Sequence, residues 1–211
     1  MAEKNRSIVA ARASDEQRRQ LAERMSRVHI SRIREMPRIE LYLDQLLTLV
    51  SQELEFMQVP GETLVTGSMV NNYVKQGVVP APRKKRYTRR HVAALVFVCA
   101  FKRVFTIAQV RQLMERVYAS GLDLEALYDA ACALCERALA ACFSSEGAGG
   151  AASATGVADV AGIVRGEPGL EVDAGEGDAE LVRLIESAVA SLATKVYVEQ
   201  SLLLAEGAGE R

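Results

Sequence analysis

The 211-residue chain has no tryptophan, two histidines and four cysteines. Four cysteines are too few for a disulfide scaffold at this length, so we expect free thiols in a reducing cytoplasm. The longest apolar run, residues 92–101, is half of the ~20 residues that a membrane-spanning helix needs, and the polar N-terminus has no apolar leader segment. These absences predict a soluble, cytoplasmic protein without membrane contact.

Residue patterns typical of enzymes and metal sites are also missing. Neither histidine has a catalytic partner at a usable spacing, and no glycine-rich segment follows a predicted strand, as a phosphate-binding loop requires. Cys132, Cys135 and Cys142 share one predicted helix. The simplest interpretation is that they are small residues packed in the core, and metal binding or redox sensing stays open. We therefore expect no enzymatic activity, no cofactor and no resident metal.

Charge is distributed unevenly along a chain whose formal net charge is only −1. Residues 60–116 carry eleven Lys or Arg and two acidic residues, whereas residues 117–211 carry five and sixteen. A basic middle beside an acidic C-terminal third indicates a polyanion-binding module joined to another unit.

The strongest basic cluster is Arg83-Lys84-Lys85-Arg86-Tyr87-Thr88-Arg89-Arg90, in which six of eight residues are cationic. A short predicted helix at 68–76 precedes it, separated by a proline-containing turn. Asparagine can pair with adenine in the major groove, and Lys or Arg neutralises phosphates. The pattern predicts a winged helix-turn-helix that grips DNA. Its predicted DNA-binding residues are Ser68, Asn71, Asn72, Tyr73, Lys75, Arg83, Lys84, Lys85, Arg86, Tyr87, Arg89 and Arg90.

Some of these residues have a second interpretation. Asn71 and Asn72 could simply cap a turn, and a charge run is often no more than a solvated surface. Tyr73 either donates a hydrogen bond to phosphate or buries its ring under the wing. Tyr87, among the cations, is expected to pack the hairpin and hold the arginines apart.

Two motifs carry a family resemblance. Asn72-Tyr73-Val74-Lys75-Gln76-Gly77-Val78-Val79-Pro80-Ala81-Pro82, followed by Arg86-Tyr87, resembles the opening of MerR-type regulators, where a short helix runs into a Gly-Leu-Leu-Pro-Pro turn and a basic Arg-Tyr wing. Residues 41–45, 68–75 and 85–87 are also similar to an uncharacterised bacterial family of unknown function, described as MerR-like, over about 37–114. The resemblance implies a DNA-binding fold and a regulatory role.

The sequence departs from MerR proteins in ways that limit what the resemblance implies. Asn71 replaces the arginine that precedes the paired aromatics, the helix before the turn is longer, and no long dimerisation helix directly follows the helix predicted at 106–119. Target spacing and effector response are therefore not carried over.

Helical periodicity predicts a mainly α fold: a MerR-like winged helix-turn-helix with a small β-hairpin wing, plus additional N- and C-terminal helices. The predicted N-caps are Ser14, Thr66, Thr88 and Thr106, and Gly77 is expected to end the short helix. The predicted units are a charged helix at 1–36, the DNA-binding domain at 37–120, a further helix at 121–146, a disordered acidic Gly/Ala-rich linker at 147–178, and a packing or dimerisation helix at 179–206.

The function expected from these features is sequence-specific binding of double-stranded DNA by a homodimeric transcription regulator. Residues 67–76 would be its recognition helix and 78–91 its basic wing. A small-molecule effector is left open, and neither the operator nor the sign of regulation can be inferred. The alternative is a protein-interaction adaptor that uses the basic face on an acidic partner without binding DNA. The acidic segment 117–211 could also cover that face within the same chain.

Overall fold

Seven α-helices make up most of the residues that the computed structural model describes, 13–144 and 169–209. Two 3-10 turns, Glu55–Met57 and Glu176–Asp178, lie between them. The helices are α1 (Asp15–Ser26), α2 (Leu43–Glu53), α3 (Gly67–Lys75), α4 (Arg89–Phe101), α5 (Ile107–Ala119), α6 (Leu124–Ser144) and α7 (Ala179–Gly209). None of these helices is long and apolar enough to cross a membrane.

Helix α4 is the centre of the core because its sequence is apolar on every face. Nine of its thirteen residues are buried, and α2 and α7 pack against it. Phe97 and Phe105 contact the buried Phe101 edge-to-face, with ring centroids 4.4 and 6.3 Å from the Phe101 ring. The long helices α6 and α7 pack along each other, and α1 packs on α6.

The predicted helix starts at Ser14, Thr66, Thr88 and Thr106 are confirmed as N-caps. The Ser14 and Thr66 hydroxyls accept the backbone N–H three residues ahead, and so does the Thr106 hydroxyl. Gly77 follows α3 with a φ of 71°, a left-handed conformation that glycine adopts at little cost. These local signals position α3 and α4 as expected.

The first helix is shorter than its charge pattern indicates, because it ends at Ser26 rather than near residue 35. Carboxylates from distant elements accept the backbone N–H groups of the following segment: Ile30 N–H donates to Glu136 at 2.8 Å and Ile33 N–H donates to Asp129 at 2.8 Å. These bonds satisfy the backbone without a helix while Ile30 and Ile33 enter the core.

The predicted β-hairpin wing is wrong, and with it the winged helix-turn-helix class, because the described ranges contain no β-strand. Arg83 and Arg86 form a single isolated bridge. Tyr87 pairs instead with Leu41, whose N–H and carbonyl bond to Tyr87 at 2.7 and 2.9 Å. Pro82 has no N–H with which to extend a ladder, and α4 begins two residues after Tyr87.

The predicted linker, 147–178, lies partly outside the described residues, which resume at 169. Its described end packs on the helices: Leu170 is buried and its N–H donates to Glu186 at 2.8 Å. The Gly169 carbonyl accepts a hydrogen bond from Arg137 at 3.1 Å. The chain then enters α7 through the short turn at Glu176–Asp178.

Glu136→Gln is expected to lower the free energy of unfolding by about 2–3 kcal/mol at neutral pH, because the Glu136 carboxylate receives Arg32 at 2.6 Å and the Ile30 N–H at 2.8 Å. Partial burial alone would raise the pKa of Glu136, but these hydrogen bonds outweigh it and hold the pKa below its usual value. Since the folded-state pKa is the lower one, the stabilisation is present at neutral pH and is lost as pH falls through it.

Urea unfolding of both proteins from about pH 7 to pH 3 measures this difference, which should shrink below about pH 4. Glu23→Gln removes an exposed helix pair with Arg27 and serves as the control, with an expected change under about 0.5 kcal/mol. A Glu136→Gln difference that stays constant over the whole range would contradict the pairing.

Candidate nucleic-acid interface

Residues 83–86 form a tight two-residue turn, named the basic turn below. Arg86 N–H donates to the Arg83 carbonyl at 2.9 Å, and both central residues have positive φ, 48° for Lys84 and 59° for Lys85. Positive φ at both central positions defines a type I′ turn, which favours Asn and Gly. The left-handed region costs an ordinary L-residue roughly 1–2 kcal/mol, so two lysines here are an unfavourable choice for the backbone.

The C-terminal end of the basic turn is fixed by aromatic contacts. The Arg86 guanidinium lies over the Tyr42 ring, 3.5 Å from its centroid, and donates to the Tyr42 hydroxyl. Tyr87 is buried and meets His91 edge-to-face with centroids 5.6 Å apart. Arg86 is therefore engaged by Tyr42 at the surface, and Tyr87 packs inward rather than facing solvent.

The predicted cation set divides into free and paired members. Arg83, Lys84 and Lys85 are exposed, and in the part of the chain that the structure describes none of them forms an ion pair. Arg89 and Arg90 both approach Glu125, at 3.6 and 3.3 Å. Three cations at the basic turn are thus available to an anion without breaking an existing ion pair.

Helix α3 presents a polar face and buries the other. Its exposed side chains are Ser68, Asn71, Asn72 and Lys75. Asn71 and Asn72 lie within the helix rather than capping a turn, although Asn72 accepts a hydrogen bond from Gln76 at 3.1 Å. Tyr73 is buried, which raises the pKa of its hydroxyl, so of the two predicted roles its ring takes the packing one.

Tyr42 and Glu125 were missed by the sequence reasoning, although both shape this surface. Tyr42 stands next to Leu41 in a motif that suggested no role for its ring. It occupies the N-cap position of α2, where its N–H donates to the Gln45 side chain at 2.9 Å, and its ring holds Arg86. Glu125 lies 35 residues beyond Arg90 in the chain. No local pattern links residues that far apart, so only the fold reveals the pairing.

The cysteines have the character of core residues. Burial raises the pKa of the Cys99 and Cys132 thiols to about 12 and that of Cys142 to about 11. Cys135 is buried and its pKa is raised as well. Among the described residues no group of three or more His, Cys, Asp or Glu side chains could hold a metal ion. The expectation of core packing therefore accords with their burial.

The segment that builds this surface also matches a known sequence family. A domain of unknown function, DUF1836, is found at residues 31–131. No curated protein and no solved structure matches the chain significantly. The DUF1836 domain contains α2 to α5, the basic turn and the start of α6, but neither α1 nor α7. The match carries no functional description, and nothing in it shows MerR-like character.

Replacing Lys84 with Asn and Lys85 with Gly is expected to stabilise the protein by about 1–2 kcal/mol, because Asn-Gly suits a turn with two positive φ angles. Urea unfolding measures the change. The control, Lys84→Ala with Lys85→Ala, removes the same charges but keeps Cβ atoms and should bring no such gain. Equal stability of the two double variants would show that the lysine backbone is not strained.

Thiol labelling should be slow in the folded protein. With a pKa of about 12, Cys99 and Cys132 are almost entirely protonated at pH 8, and the thiolate is the reactive form. We expect labelling by a disulfide reagent to be more than about 100-fold slower than in urea, with the partly exposed Cys142 first. Rapid labelling of Cys132 or Cys135 in the native state would instead favour a redox role.

Proposed function

We propose that the chain binds double-stranded DNA as a sequence-specific transcription regulator, with α3 as its recognition helix and the basic turn on the phosphate backbone. The observation that carries the proposal is the set of three unpaired, exposed cations on a turn whose ends are fixed. Because the backbone of the turn is already fixed, it loses little conformational freedom on meeting phosphates, and each neutralised phosphate releases counterions.

Among the described residues, other cations of the basic middle form ion pairs, whereas those of the basic turn do not. Carboxylates of the acidic C-terminal third neutralise other cations of the basic middle: Glu180 pairs with Arg116 at 3.2 Å, and Glu199 pairs with Arg103 at 2.7 Å. Within 13–144 and 169–209, none of them pairs with the basic turn. The local charge there is positive although the net charge of the chain is −1.

The polar face of α3 supports base contacts. Ser68, Asn71, Asn72 and Lys75 are exposed within nine residues of helix, which a major groove can admit. Helix α2 packs against α3, but residues 54–66 separate them, which is longer than the three or four residues of a simple helix-turn-helix. The support therefore comes from the exposed side chains rather than from a motif.

Homodimerisation is part of the proposal. Val198 and Leu202 stand four residues apart on α7 and are 45% and 60% exposed, an apolar pair that a second copy would cover. A two-fold dimer would present two α3 helices to half-sites about one DNA turn apart.

A salt titration of DNA binding tests the backbone contact. The stable Lys84→Asn/Lys85→Gly variant should bind duplex DNA more weakly than the wild type, and the slope of log affinity against log salt should fall by about two. Because this variant is expected to fold at least as well, lost affinity reports lost charge. Arg19→Gln with Arg27→Gln removes two exposed cations, one on α1 and one directly after it, and should leave the slope unchanged.

Base contacts are tested separately by Asn71→Ala and Asn72→Ala. Each lost bidentate pair should cost about 1–3 kcal/mol of discrimination between sequences selected from a random pool, while bulk affinity changes less. Gln52→Ala, exposed on α2, is the control. Absence of duplex binding at about 50 mM salt would sink the regulator proposal, and binding of an acidic protein at the same turn would establish the adaptor alternative.

A further inference from the structure

Residues 169–174, named the docked segment below, lie against α6 and α7 without forming a helix or a strand. Alternate side chains of the segment pack on the core, and those between them face solvent. The packed side chains are Leu170, Val172 and Ala174, and the exposed ones are Glu171 and Asp173. Alternate burial is typical of a peptide that is bound on a protein surface, where every second side chain enters the surface.

One peptide group of the docked segment is bound at both of its polar ends. The Gly169 carbonyl accepts a hydrogen bond from the Arg137 guanidinium of α6 at 3.1 Å. The Leu170 N–H, which belongs to the same peptide group, donates to the Glu186 carboxylate of α7 at 2.8 Å. The carbonyl and the N–H of a trans peptide point in opposite directions, so the two charged side chains approach from opposite sides. Arg137 and Glu186 are named the peptide clamp below.

The Glu186 carboxylate is suited to a peptide N–H. Its side chain is only 5% exposed, and in the part of the chain that the structure describes it forms no ion pair. A buried carboxylate without a hydrogen-bond donor is strongly unfavourable, and a donor that faces a charged acceptor forms a strong bond. The clamp therefore selects a ligand whose main-chain N–H is free to donate.

Few bonds hold the docked segment in place. Over 13–144 and 169–209, the two bonds of the peptide clamp are the main-chain hydrogen bonds that join the segment to the helices. The Val172 N–H bonds within the segment, to the Leu170 carbonyl at 3.0 Å. A segment with so few bonds opens at a free energy well below that of global unfolding. When it opens, the clamp and the surface beneath Leu170 become accessible to another peptide.

We propose that α6 and α7 form a binding site for a peptide segment of a partner protein, and that the docked segment occupies this site within the same chain. The partner segment has the chemistry of the docked one: a large aliphatic residue whose N–H donates to Glu186, then an acidic residue, then a second aliphatic residue. Main-chain bonds to the clamp supply affinity, and the buried aliphatic side chain supplies selectivity. The clamp lies outside the DUF1836 domain at 31–131, and the site does not depend on the proposed DNA binding.

A peptide with the sequence of residues 169–175, acetylated at its N-terminus and labelled with fluorescein at its C-terminus, tests the site on the full-length protein. Leu170→Asp removes the buried anchor of the docked segment, so this variant should bind the peptide saturably, one-to-one, by fluorescence anisotropy. Wild type should bind at least about tenfold more weakly, because its own segment competes at a high effective concentration. Asp173→Asn changes an exposed residue and is the matched control, expected to bind like the wild type.

Changes in the peptide separate the clamp from the anchor without altering the protein. Methylation of the Leu170 nitrogen in the peptide removes the donor to Glu186 and should weaken binding to the Leu170→Asp protein at least about tenfold. Replacing that leucine in the peptide with Asp removes the apolar side chain and should have an effect of similar size. A peptide with Asn in place of Asp173 should bind like the unmodified one.

Absence of saturable binding to a folded Leu170→Asp variant would show that the docked segment only packs on its own chain, and would overturn the proposal. Equal affinity of the methylated and unmodified peptides would do the same. If Leu170→Asp does not fold, Leu170→Ala, which keeps an apolar side chain, takes its place and the same results decide. These titrations contain no DNA, so their outcome is separate from that of the salt titration.

Discussion

The capping interaction between Thr88 and His91 connects the buried helix α4 to the basic turn at the surface. Helix α4 is buried on nearly all sides, so its first turn is fixed by the packing around it. The His91 ring accepts the Thr88 N–H and meets the edge of Tyr87. The position of the basic turn therefore follows from the packing of α4 rather than from the turn residues themselves.

This support explains how an unfavourable backbone persists. Lys84 and Lys85 occupy a conformation that Asn and Gly adopt far more easily, and such a turn alone would relax. The bridge between Leu41 and Tyr87 fixes the residue that follows the basic turn. The contact of Arg86 with the Tyr42 ring fixes the last residue of the turn itself. Retaining lysines where glycine would be easier favours a role for their charge, since their backbone geometry gains nothing from them.

Sequence reasoning succeeded where the controlling interactions are local. The caps at Ser14 and Thr106 involve residues three apart, and Gly77 acts through its own φ. It failed where the partner is distant: the wing was replaced by pairing of Tyr87 with a residue 46 positions earlier. The end of α1 likewise depends on Glu136, more than 100 residues away, so it leaves no periodic signal in the sequence.

Distant partners also decide which of the surface cations are free to bind an anion. The run at 83–90 looks uniformly cationic in sequence, yet Arg86, Arg89 and Arg90 are engaged by Tyr42 or Glu125. The described acidic residues of the C-terminal third therefore act mainly as structural partners of α4, α5 and the loops, and none covers the basic turn. The cations of this run that are left after this neutralisation are Arg83, Lys84 and Lys85, and the two lysines have the unfavourable backbone. Charge and strain thus coincide at one turn, and the polyanion that we propose as its partner would account for both.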